Sequence, residues 1–390
     1  MTASHIHHRR AVLGGGAALG LAALGGCATT APAPAPTPSA PTFRSRPQLG
    51  RLDARPDRIM DITVCLRPFR PAGPRLDAET VGDKLVAHNY GHGGSGWSLA
   101  WGSAEIAVRQ ALGPGYREIA VIGCGALGLT AAVTAQRAGA RVTIYAKEVM
   151  PDVRSARATG VWSPDSRIAL AAAIAPGFPA QWEAMTRRSY QTWLGYLGLP
   201  GEPVGFIDRY MLWDDDVVGR RDPIGFAHLD RRLAGLAPAT VAVPAGEHPF
   251  RQRSVRRVAL PLFNIHALGR LLLGEFLQAG GRLEMAEFHT PADLARLKEK
   301  AVVNCTGYGA RTLWKDETLV PVRGQIAWLT PQPEVTYGVN YQGVTMLSRR
   351  DGVVIQQTGP DDGWGWNDAN ETPDRAEAEA AVATIASVYG

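Results

Sequence analysis

Residues 117–148 read REIAVIGCGALGLTAAVTAQRAGARVTIYAKE and decide the fold. The apolar run 118–122 predicts a buried strand, a Gly-x-Gly-x-x-Gly turn follows at 123–128, the periodicity of 126–138 predicts a helix, and 141–146 is a second apolar strand. In such a unit the first glycine permits a tight turn, the second lets the backbone approach a pyrophosphate and the third lets the helix pack closely on the strand. The helix N-terminus attracts the pyrophosphate. We therefore predict a dinucleotide site contacted by Gly123, Gly125, Ala126, Leu127 and Gly128.

The end of the second strand lacks the acidic residue that usually binds an adenosine ribose. That position is Ala146, and Lys147 and Glu148 follow it. Two interpretations stay open, in which Glu148 reaches the ribose or Lys147 binds a group on the adenosine side. The missing acid argues against assuming that the cofactor is NAD.

A second glycine turn, YGHGGSG at residues 90–96, lies upstream. It follows a predicted strand at 85–89 and precedes a predicted helix at 97–112, and Gly-Pro-Gly at 113–115 breaks the chain before the next strand. This alternation predicts a doubly wound parallel sheet with both turns at the carboxyl edge, where such sheets bind ligands. We expect the two turns to bind two ends of one long cofactor, its pyrophosphate and an anionic ring.

Several segments together resemble those of the D-amino-acid oxidase family of FAD enzymes, over nearly all of the chain after about Arg58. In that family one segment lies along the flavin, a glycine turn meets the flavin pyrimidine, and an Arg-Pro segment binds the substrate carboxylate. The segments that carry the resemblance are YAKE at 145–148, ATGVWSP at 158–164, VVNCTG at 302–307, VRGQ at 322–325, NYGHGGSGWS at 89–98 and LRPFRP at 66–71.

The order of these segments differs from that of the family, in which the Gly-x-Gly-x-x-Gly strand opens the chain. Here residues 58–112 precede it, so we interpret the chain as a circular permutation, whose ends near Arg58 and Gly390 must be neighbours. The resemblance implies an α/β fold with a Rossmann-like FAD-binding domain, built on the doubly wound parallel sheet, and a second, mixed-sheet substrate domain. The implied boundaries are 58–165 and 252–325 for the first domain and 166–251 and 326–390 for the second.

The resemblance also implies an activity, the FAD-dependent oxidation of the CH–NH2 group of a D-amino acid or related amine by hydride transfer to flavin N5. Arg67 would bind the substrate carboxylate, because a guanidinium matches a carboxylate bidentately; the alternative is a structural arginine bonded to a backbone carbonyl. The helix beginning near Trp97 would stabilise negative charge on the reduced flavin. His92 is expected to be structural. The remaining FAD contacts implied are Lys147, Glu148, Arg154, Ser155, Gly160, Val161, Trp162, Gly93, Gly94, Ser95, Gly96, Trp97, Ser98, Thr306 and Gly307.

The substrate side departs from the family pattern. Where one active-site tyrosine is expected, this chain offers Thr345 or Met346, and Tyr341 would substitute for it as a catalytic residue. The family's Gly-Gly pair in the next strand is replaced by Gln356 and Gln357, whose side chains would fill part of the pocket.

The N-terminus has the pattern of an export signal. Arg9 and Arg10 precede a Gly/Ala-rich apolar run that is too short for a comfortable membrane span, which resembles a twin-arginine signal at residues 1–26. Cys27 ends a Leu-Gly-Gly-Cys motif like a bacterial lipobox, which predicts lipidation. Residues 27–57 begin with a Pro/Ala/Thr-rich tether. Together these features predict a membrane lipoprotein that faces the periplasm.

Composition excludes some other classes. The chain has 390 residues and a formal charge of +5, but no block of Lys and Arg, so a nucleic-acid partner is set aside. Cys65, Cys124 and Cys305 are too scattered for a metal site. The expected partners are a small amine or amino acid and a membrane. Two alternatives stay open, a tethered flavin-binding protein with little turnover and a nicotinamide dehydrogenase.

Overall fold

The computed structural model describes residues 49–215 and 219–389. The predicted signal at 1–26, with Arg9 and Arg10, and the predicted lipidation site Cys27 lie outside these residues. Within the described part, no helix has the length and apolar character needed to cross a membrane.

A six-stranded sheet forms the core predicted from the glycine turns. Its order is β2-β3-β10-β4-β5-β9, and its strands are parallel except for β2, which is antiparallel to β3. The doubly wound parallel sheet is therefore confirmed. The strands are β2 (Ala78–Val81), β3 (Lys84–His88), β4 (Glu118–Ile122), β5 (Arg141–Ala146), β9 (Arg282–Met285) and β10 (Ala301–Asn304).

Helices cover one face of this sheet. α1 connects β3 to β4, and α2 connects β4 to β5; their alanine-rich faces are short enough to pack closely against each other and against the strands. Leu294, Leu297 and Val302 belong to a smaller apolar cluster on the opposite face. The helices of the chain are α1 (Gly96–Leu112), α2 (Ala126–Arg137), α3 (Phe178–Leu194), α4 (Ile265–Gln278), α5 (Ala310–Leu313) and α6 (Arg375–Ala386).

An eight-stranded mixed sheet forms the other half, in the order β1-β11-β14-β13-β12-β6-β8-β7. β12 runs parallel to β6, and the other neighbours are antiparallel. Its strands are β1 (Ile59–Phe69), β6 (Val204–Trp213), β7 (Val241–Ala242), β8 (Ser254–Phe263), β11 (Val320–Leu329), β12 (Tyr337–Tyr341), β13 (Val344–Arg349) and β14 (Gly352–Gln357).

Sheet membership differs from the predicted domain boundaries at three strands. β1, β8 and residues 320–325 of β11 fall inside the ranges 58–165 and 252–325 implied for the FAD-binding domain, yet all three strands belong to the eight-stranded sheet. β1 and β11 pair with each other from Ile59–Leu329 to Phe69–Val320. A strand's own residues specify that it is paired and half-buried, whereas its partner is decided by contacts far along the chain.

Residues 49–57, predicted as the end of the tether, are packed against the eight-stranded sheet. Leu52 and Ala54 are buried among apolar side chains of that sheet, and the Gln332 side chain bonds both the N–H and the carbonyl of Asp53. The prediction is wrong for this stretch because Leu52 and Ala54 bury apolar surface against the sheet, which fixes the chain there.

The spacing of Ala and Glu over residues 374–388 predicts a helix that closes the chain, and α6 confirms it. The Asp374 carboxylate accepts hydrogen bonds from the N–H groups of Ala376 and Glu377, which satisfies the helix N-terminus. Its apolar side packs on the eight-stranded sheet, and Arg375 Nη2 donates to the carbonyl of Pro56 at 3.2 Å. The start and the end of the described chain therefore lie side by side.

Candidate functional site

A cavity of about 540 Å³ lies between the carboxyl edge of the six-stranded sheet and strands β1, β11 and β14 of the other sheet. The segments that follow β3, β4, β5, β9 and β10 all contribute to its wall. Of the predicted site residues, those on the wall are Arg67, Gly93, Gly94, Gly96, Trp97, Gly123, Gly125, Ala126, Leu127, Lys147, Glu148, Arg154, Ser155, Thr306 and Gly307.

The glycine turn after β4 has no room for side chains. Gly123 has φ +103°, and a Cβ there would lie 2.6 Å from the carbonyl oxygen of Cys305. A Cβ on Gly128 would lie 1.9 Å from the carbonyl oxygen of Gly123, so Gly128 packs the helix against the turn and is not on the cavity wall. Its predicted cofactor contact is replaced by this packing role.

The start of α2 faces the cavity. Gly125 caps the helix without a side-chain bond, and the Ala126 N–H donates to Ser155 Oγ at 3.0 Å. Ser155 itself lines the cavity, so this hydroxyl lies between the first turn of the helix and the space beside it. The positive end of the helix dipole is thereby directed at the cavity, as a pyrophosphate site requires.

Charged side chains meet at the end of β5. Lys147 Nζ lies 2.8 Å from Glu287 Oε1, and both side chains, with Glu148, line the cavity. The bond to Lys147 lowers the pKa of Glu287. Glu287 was not identified from the sequence, because it follows β9, and the pairing of β9 with β5 brings it there. Two carboxylates, Glu148 and Glu287, are therefore available where residue 146 has none.

The second glycine turn also contributes backbone to the wall. A Cβ on Gly93, which has φ +55°, would lie 1.9 Å from the carbonyl oxygen of Arg167, and the Gly94 N–H donates to the Ser166 carbonyl at 2.9 Å. Gly96 and Trp97, the first residues of α1, line the cavity. This helix begins without a side-chain cap, so its first N–H groups have no side-chain acceptor.

Two serines of this turn point away from the cavity. Ser95 Oγ donates to the Ser166 carbonyl, and Ser98 Oγ accepts from the Ser163 N–H at 2.8 Å. Both are buried and bind the segment that follows β5 in place of the predicted cofactor contact.

Residues 160–162, predicted to lie along the cofactor, are instead attached to β8. The Phe263 N–H donates to the Gly160 carbonyl at 2.7 Å, the Trp162 N–H donates to the Pro261 carbonyl, and Val161 bridges to Leu262. Gly160, Val161 and Trp162 are absent from the wall, whereas the two preceding residues, 158 and 159, belong to it. The hydrogen bonds to β8 turn these three residues away from the cavity.

His92 lines the cavity and has no hydrogen-bond partner on either ring nitrogen within the described chain. Burial lowers its pKa to about 3, so the imidazole is neutral at physiological pH. A buried polar side chain without a partner at a cavity wall is where a bound molecule would supply one. The sequence favoured a structural role, which this lack of protein partners does not support.

Arg67 projects from β1 into the opposite side of the cavity. Its Nη1 donates to the carbonyl of Arg323 at 3.0 Å and to that of Val322 at 3.5 Å. A Cβ on Gly324 would lie 2.3 Å from Arg67 Nη2, so the glycine makes room for the guanidinium. Among described residues no carboxylate lies within ion-pair distance of Arg67. The two sequence interpretations are therefore compatible, because one nitrogen binds carbonyls while the side chain still faces the cavity.

Tyr341 lies on the wrong face of the sheet for its predicted catalytic role. Its hydroxyl donates to the carboxylate of Asp214 at 2.9 Å, and its ring packs in the apolar cluster beneath α6. Asn340 donates to Thr345 Oγ1 at 2.9 Å on the other face, because side chains alternate along a strand. Thr345, not Met346, therefore takes the position toward the site, next to Gln356, which lines the cavity.

Other wall residues were missed by sequence reasoning. They come from β1 and from the segments after β9 and β10, which include the short helix α5, where no local pattern indicates a cavity. These residues include Cys65, Phe288, His289, Tyr308, Gly309 and Thr312. No group of three or more potential metal ligands occurs among the described residues.

Comparison with known proteins identifies relatives. The family model for FAD dependent oxidoreductase (DAO) matches residues 118–389. A D-amino-acid oxidase of Streptomyces coelicolor is 33% identical over 212 residues, 54% of this chain and 58% of that protein, so less than two thirds of its length is covered. A D-amino-acid oxidase of Rubrobacter xylanophilus is 28% identical over 266 residues, 67% of this chain and 74% of that protein.

Among solved structures, an iminodiacetate oxidase from Chelativorans has a TM-score of 0.47 at 18% identity, covering 68% of this chain and 78% of that one. A glycine oxidase from Bacillus cereus has a TM-score of 0.47 at 11% identity, covering 70% and 78%.

The cavity fits FAD. The N-termini of α1 and α2 border it, a glycine turn without space for Cβ atoms lies at its pyrophosphate end, and the unpartnered His92 lies on its wall. Gly125, Ala126, Ser155, Gly96 and Trp97 would hold the cofactor. Because the family match covers well over half of the chain, the protein belongs to the DAO family of FAD-dependent oxidoreductases.

Proposed function

We propose that the protein oxidises the CH–NH2 group of a D-amino acid or a related amine. The observation that carries the proposal is the guanidinium of Arg67, which faces the cavity from the sheet opposite the glycine turns without a carboxylate partner among described residues. Arg67 is half-buried, and a cation that is partly removed from water without a counter-charge is costly unless a ligand anion neutralises it. A substrate carboxylate supplies that charge.

When bound, FAD supplies the acceptor for the two electrons that leave the substrate Cα. Arg67 binds and orients the carboxylate, and the N-terminus of α1 at Gly96 stabilises negative charge at the cavity wall. His92 is kept neutral by burial and offers a hydrogen bond without adding charge.

The proposal is tested with purified holoprotein under anaerobic conditions. Mixing with a panel of D-amino acids should bleach the flavin absorbance, and Arg67→Gln should lower kcat/KM about 10²- to 10³-fold while FAD stays bound. Arg257→Gln serves as control, because Arg257 pairs with Asp208 on the surface at 3.0 Å. Flavin that stays oxidised across the panel would contradict the proposed reaction, and unchanged activity in Arg67→Gln would contradict the role of Arg67.

A flavin-binding protein with little turnover is the second candidate. Thr345 in place of a tyrosine and Gln356 on the cavity wall favour it. In that case the protein would copurify with FAD and bind carboxylates, but no amine would reduce the flavin.

We also propose that the chain is a circular permutation of the family fold. The family match begins at Glu118, and residues 58–112 precede it. Tyr337 supports the proposal, because its hydroxyl donates to the Gly50 carbonyl at 2.7 Å and contacts the Tyr389 hydroxyl at 2.8 Å. A chain opened at 113–115, with residue 389 linked to residue 49, should fold and bind FAD. Loss of FAD binding in that variant, while the chain in its native order still binds FAD, would contradict the permutation.

Export and lipid anchoring remain a further proposal, supported by Arg9, Arg10 and Cys27. Replacing both arginines with lysine should retain the protein in the cytoplasm, and Cys27→Ser should release it from membranes after export. Membrane attachment that survives Cys27→Ser would show that Cys27 is not the anchor.

A further inference from the structure

The substrate side of the molecule carries more positive charge than the reaction proposed above requires. Besides Arg67, three arginines lie around this side of the eight-stranded sheet, at positions 167, 209 and 220. Among the described residues, Arg220 is the member of this group that forms an ion pair, and its Nε lies 2.5 Å from Asp362 Oδ1. Arg67, Arg167 and Arg209 have no carboxylate within ion-pair distance in the described part of the chain.

Arg209 lies on β6, on the face toward the cavity. Its Nη2 contacts Thr345 Oγ1 at 3.4 Å, and its Nε is buried without a partner among described residues. Thr345 is paired with Gln356, which lines the cavity, so the guanidinium extends from the sheet toward the end of the cavity at β14. Burial and the charge of Arg220 lower the pKa of Arg209 to about 10, which still leaves it cationic at neutral pH.

Arg167 connects this group to Arg67. Its Nε donates to the Asp362 carbonyl at 3.1 Å, and burial together with the charge of Arg67 lowers its pKa to about 9. Arg220 donates to the carbonyls of Thr358 and Asp361, which positions the same loop. The backbone carbonyls solvate these cations in part but carry no net negative charge.

Like charges in a partly desolvated site raise the free energy of the protein unless anions offset them. One substrate carboxylate at Arg67 leaves the guanidinium of Arg209 without an anion. We infer that the amine substrate is an amino dicarboxylic acid, and that Arg209, held by Thr345, binds its second carboxylate. This inference rests on the proposed function of the same site. Arg167 and Arg220 contribute positive potential and position the loop around Asp362.

The kinetic test compares isosteric pairs with the holoenzyme, D-aspartate against D-asparagine and D-glutamate against D-glutamine. The acidic member of each pair should have a kcat/KM higher by about 10²-fold, because a site built for a charged group rejects its neutral analogue. Arg209→Gln should remove that preference by lowering kcat/KM for the acidic members, Arg209→Lys should restore part of it, and Arg257→Gln should keep it. Equal rates on both members in the wild type would overturn the inference while leaving the proposed reaction intact.

A binding measurement separates the inference from turnover. Succinate and butyrate differ by one carboxylate, and each can be titrated into holoprotein while the flavin absorbance spectrum and Tm are followed. Succinate should bind more tightly by about tenfold or more, in a manner that depends on Arg209. If no amine reduces the flavin but succinate still binds in this way, the proposed reaction fails and the dicarboxylate site stands. If Arg209→Gln does not fold, Thr345→Val should weaken succinate binding; equal affinity for the two acids would overturn the inference.

Discussion

The cofactor end and the substrate end of the cavity are built from different parts of the chain. At the cofactor end two glycine turns and the N-termini of α1 and α2 bring backbone to the wall, beside side chains such as Lys147 and Ser155. At the substrate end it is formed by side chains on one face of a sheet, such as Arg67 and Gln356, and Arg209 lies on the same face beside Thr345. A site made of backbone is specified by residues that are close in sequence, whereas a site made of side chains depends on strand register.

The difference is clearest for the two groups of predicted residues. Gly123, Gly125 and Gly96 lie on the wall as local pattern reading predicts, because a glycine turn between strand and helix has few possible geometries. Tyr341 and Thr345 are four residues apart, yet they lie on opposite faces of the sheet. Only the pairing of β12 with β13 decides which of them faces the site.

The largest expected effect is at the backbone-built end. Gly128→Ala places a Cβ 1.9 Å from the Gly123 carbonyl oxygen, and neither backbone segment can move without opening the turn. We expect FAD binding to be lost and the free energy of unfolding to fall by about 3 kcal/mol. The ratio of flavin to protein absorbance and denaturant unfolding would measure both.

Gly177→Ala is the matched control, because nothing lies within 4 Å of a Cβ at that position. If Gly128→Ala still binds FAD, the turn tolerates a side chain at this position, and close packing of the backbone is not needed for FAD binding.

The next largest effect is expected at Arg349, whose side chain reaches from β13 to residues 158 and 159 of the cavity wall. Arg349 is fully buried, donates to the Ala158 and Thr159 carbonyls at 2.8 and 3.3 Å, and pairs with Asp351. Arg349→Met leaves these acceptors and the carboxylate without their donor, so unfolding should become easier by about 3 kcal/mol and FAD affinity should fall.

Arg350→Met is the control, because Arg350 is exposed and paired with Glu202. Equal stability of the Arg349 and Arg350 variants would mean that residues 158–159 keep their place without hydrogen bonds from the eight-stranded sheet.

A smaller effect depends on pH. Burial alone would raise the pKa of Asp351, but the hydrogen bond with His266 and the charge of Arg349 hold it at about 2, below its ordinary value of 3.8. A carboxyl group with a lowered pKa stabilises the fold above its unfolded pKa and loses that contribution as pH falls toward 2. Asp351→Asn should therefore cost about 2 kcal/mol near pH 6 and progressively less below pH 4. Urea unfolding at a series of pH values measures the difference, and a gap that stays constant down to pH 3 would contradict it.

The smallest effect is expected at an exposed ion pair of the cofactor end. Glu287→Gln removes the partner of Lys147, but both side chains are largely exposed, so the pair contributes little and salt screens it. FAD affinity should change less than about threefold. A larger loss of FAD affinity that persists at high salt would indicate that Glu287 binds the cofactor directly. FAD binding would then depend on a side chain as well as on the glycine turns.

Much of the fold and part of the site could be predicted from the sequence. The strands and helices around both glycine turns, the parallel sheet and the closing helix were all indicated by local periodicity and capping residues. Glu287 could not be found in this way, because it reaches the cavity through the pairing of β9 with β5, which are distant in sequence. Ser95, Ser98 and residues 160–162 were predicted as cofactor contacts, but their hydrogen bonds to neighbouring segments turn them away.

The sequence by itself determined the dinucleotide turn, the helix N-termini beside it and the presence of Arg67 in an Arg-Pro segment. These features depend on φ angles, absent Cβ atoms and neighbouring residues, which are local properties. Only the tertiary structure decided that Tyr341 faces α6, that Thr345 faces the site and that Arg209 extends from β6 toward the cavity. A strand alternates its faces with a period of two, so the choice of face depends on register, and register is set by contacts between distant parts of the chain.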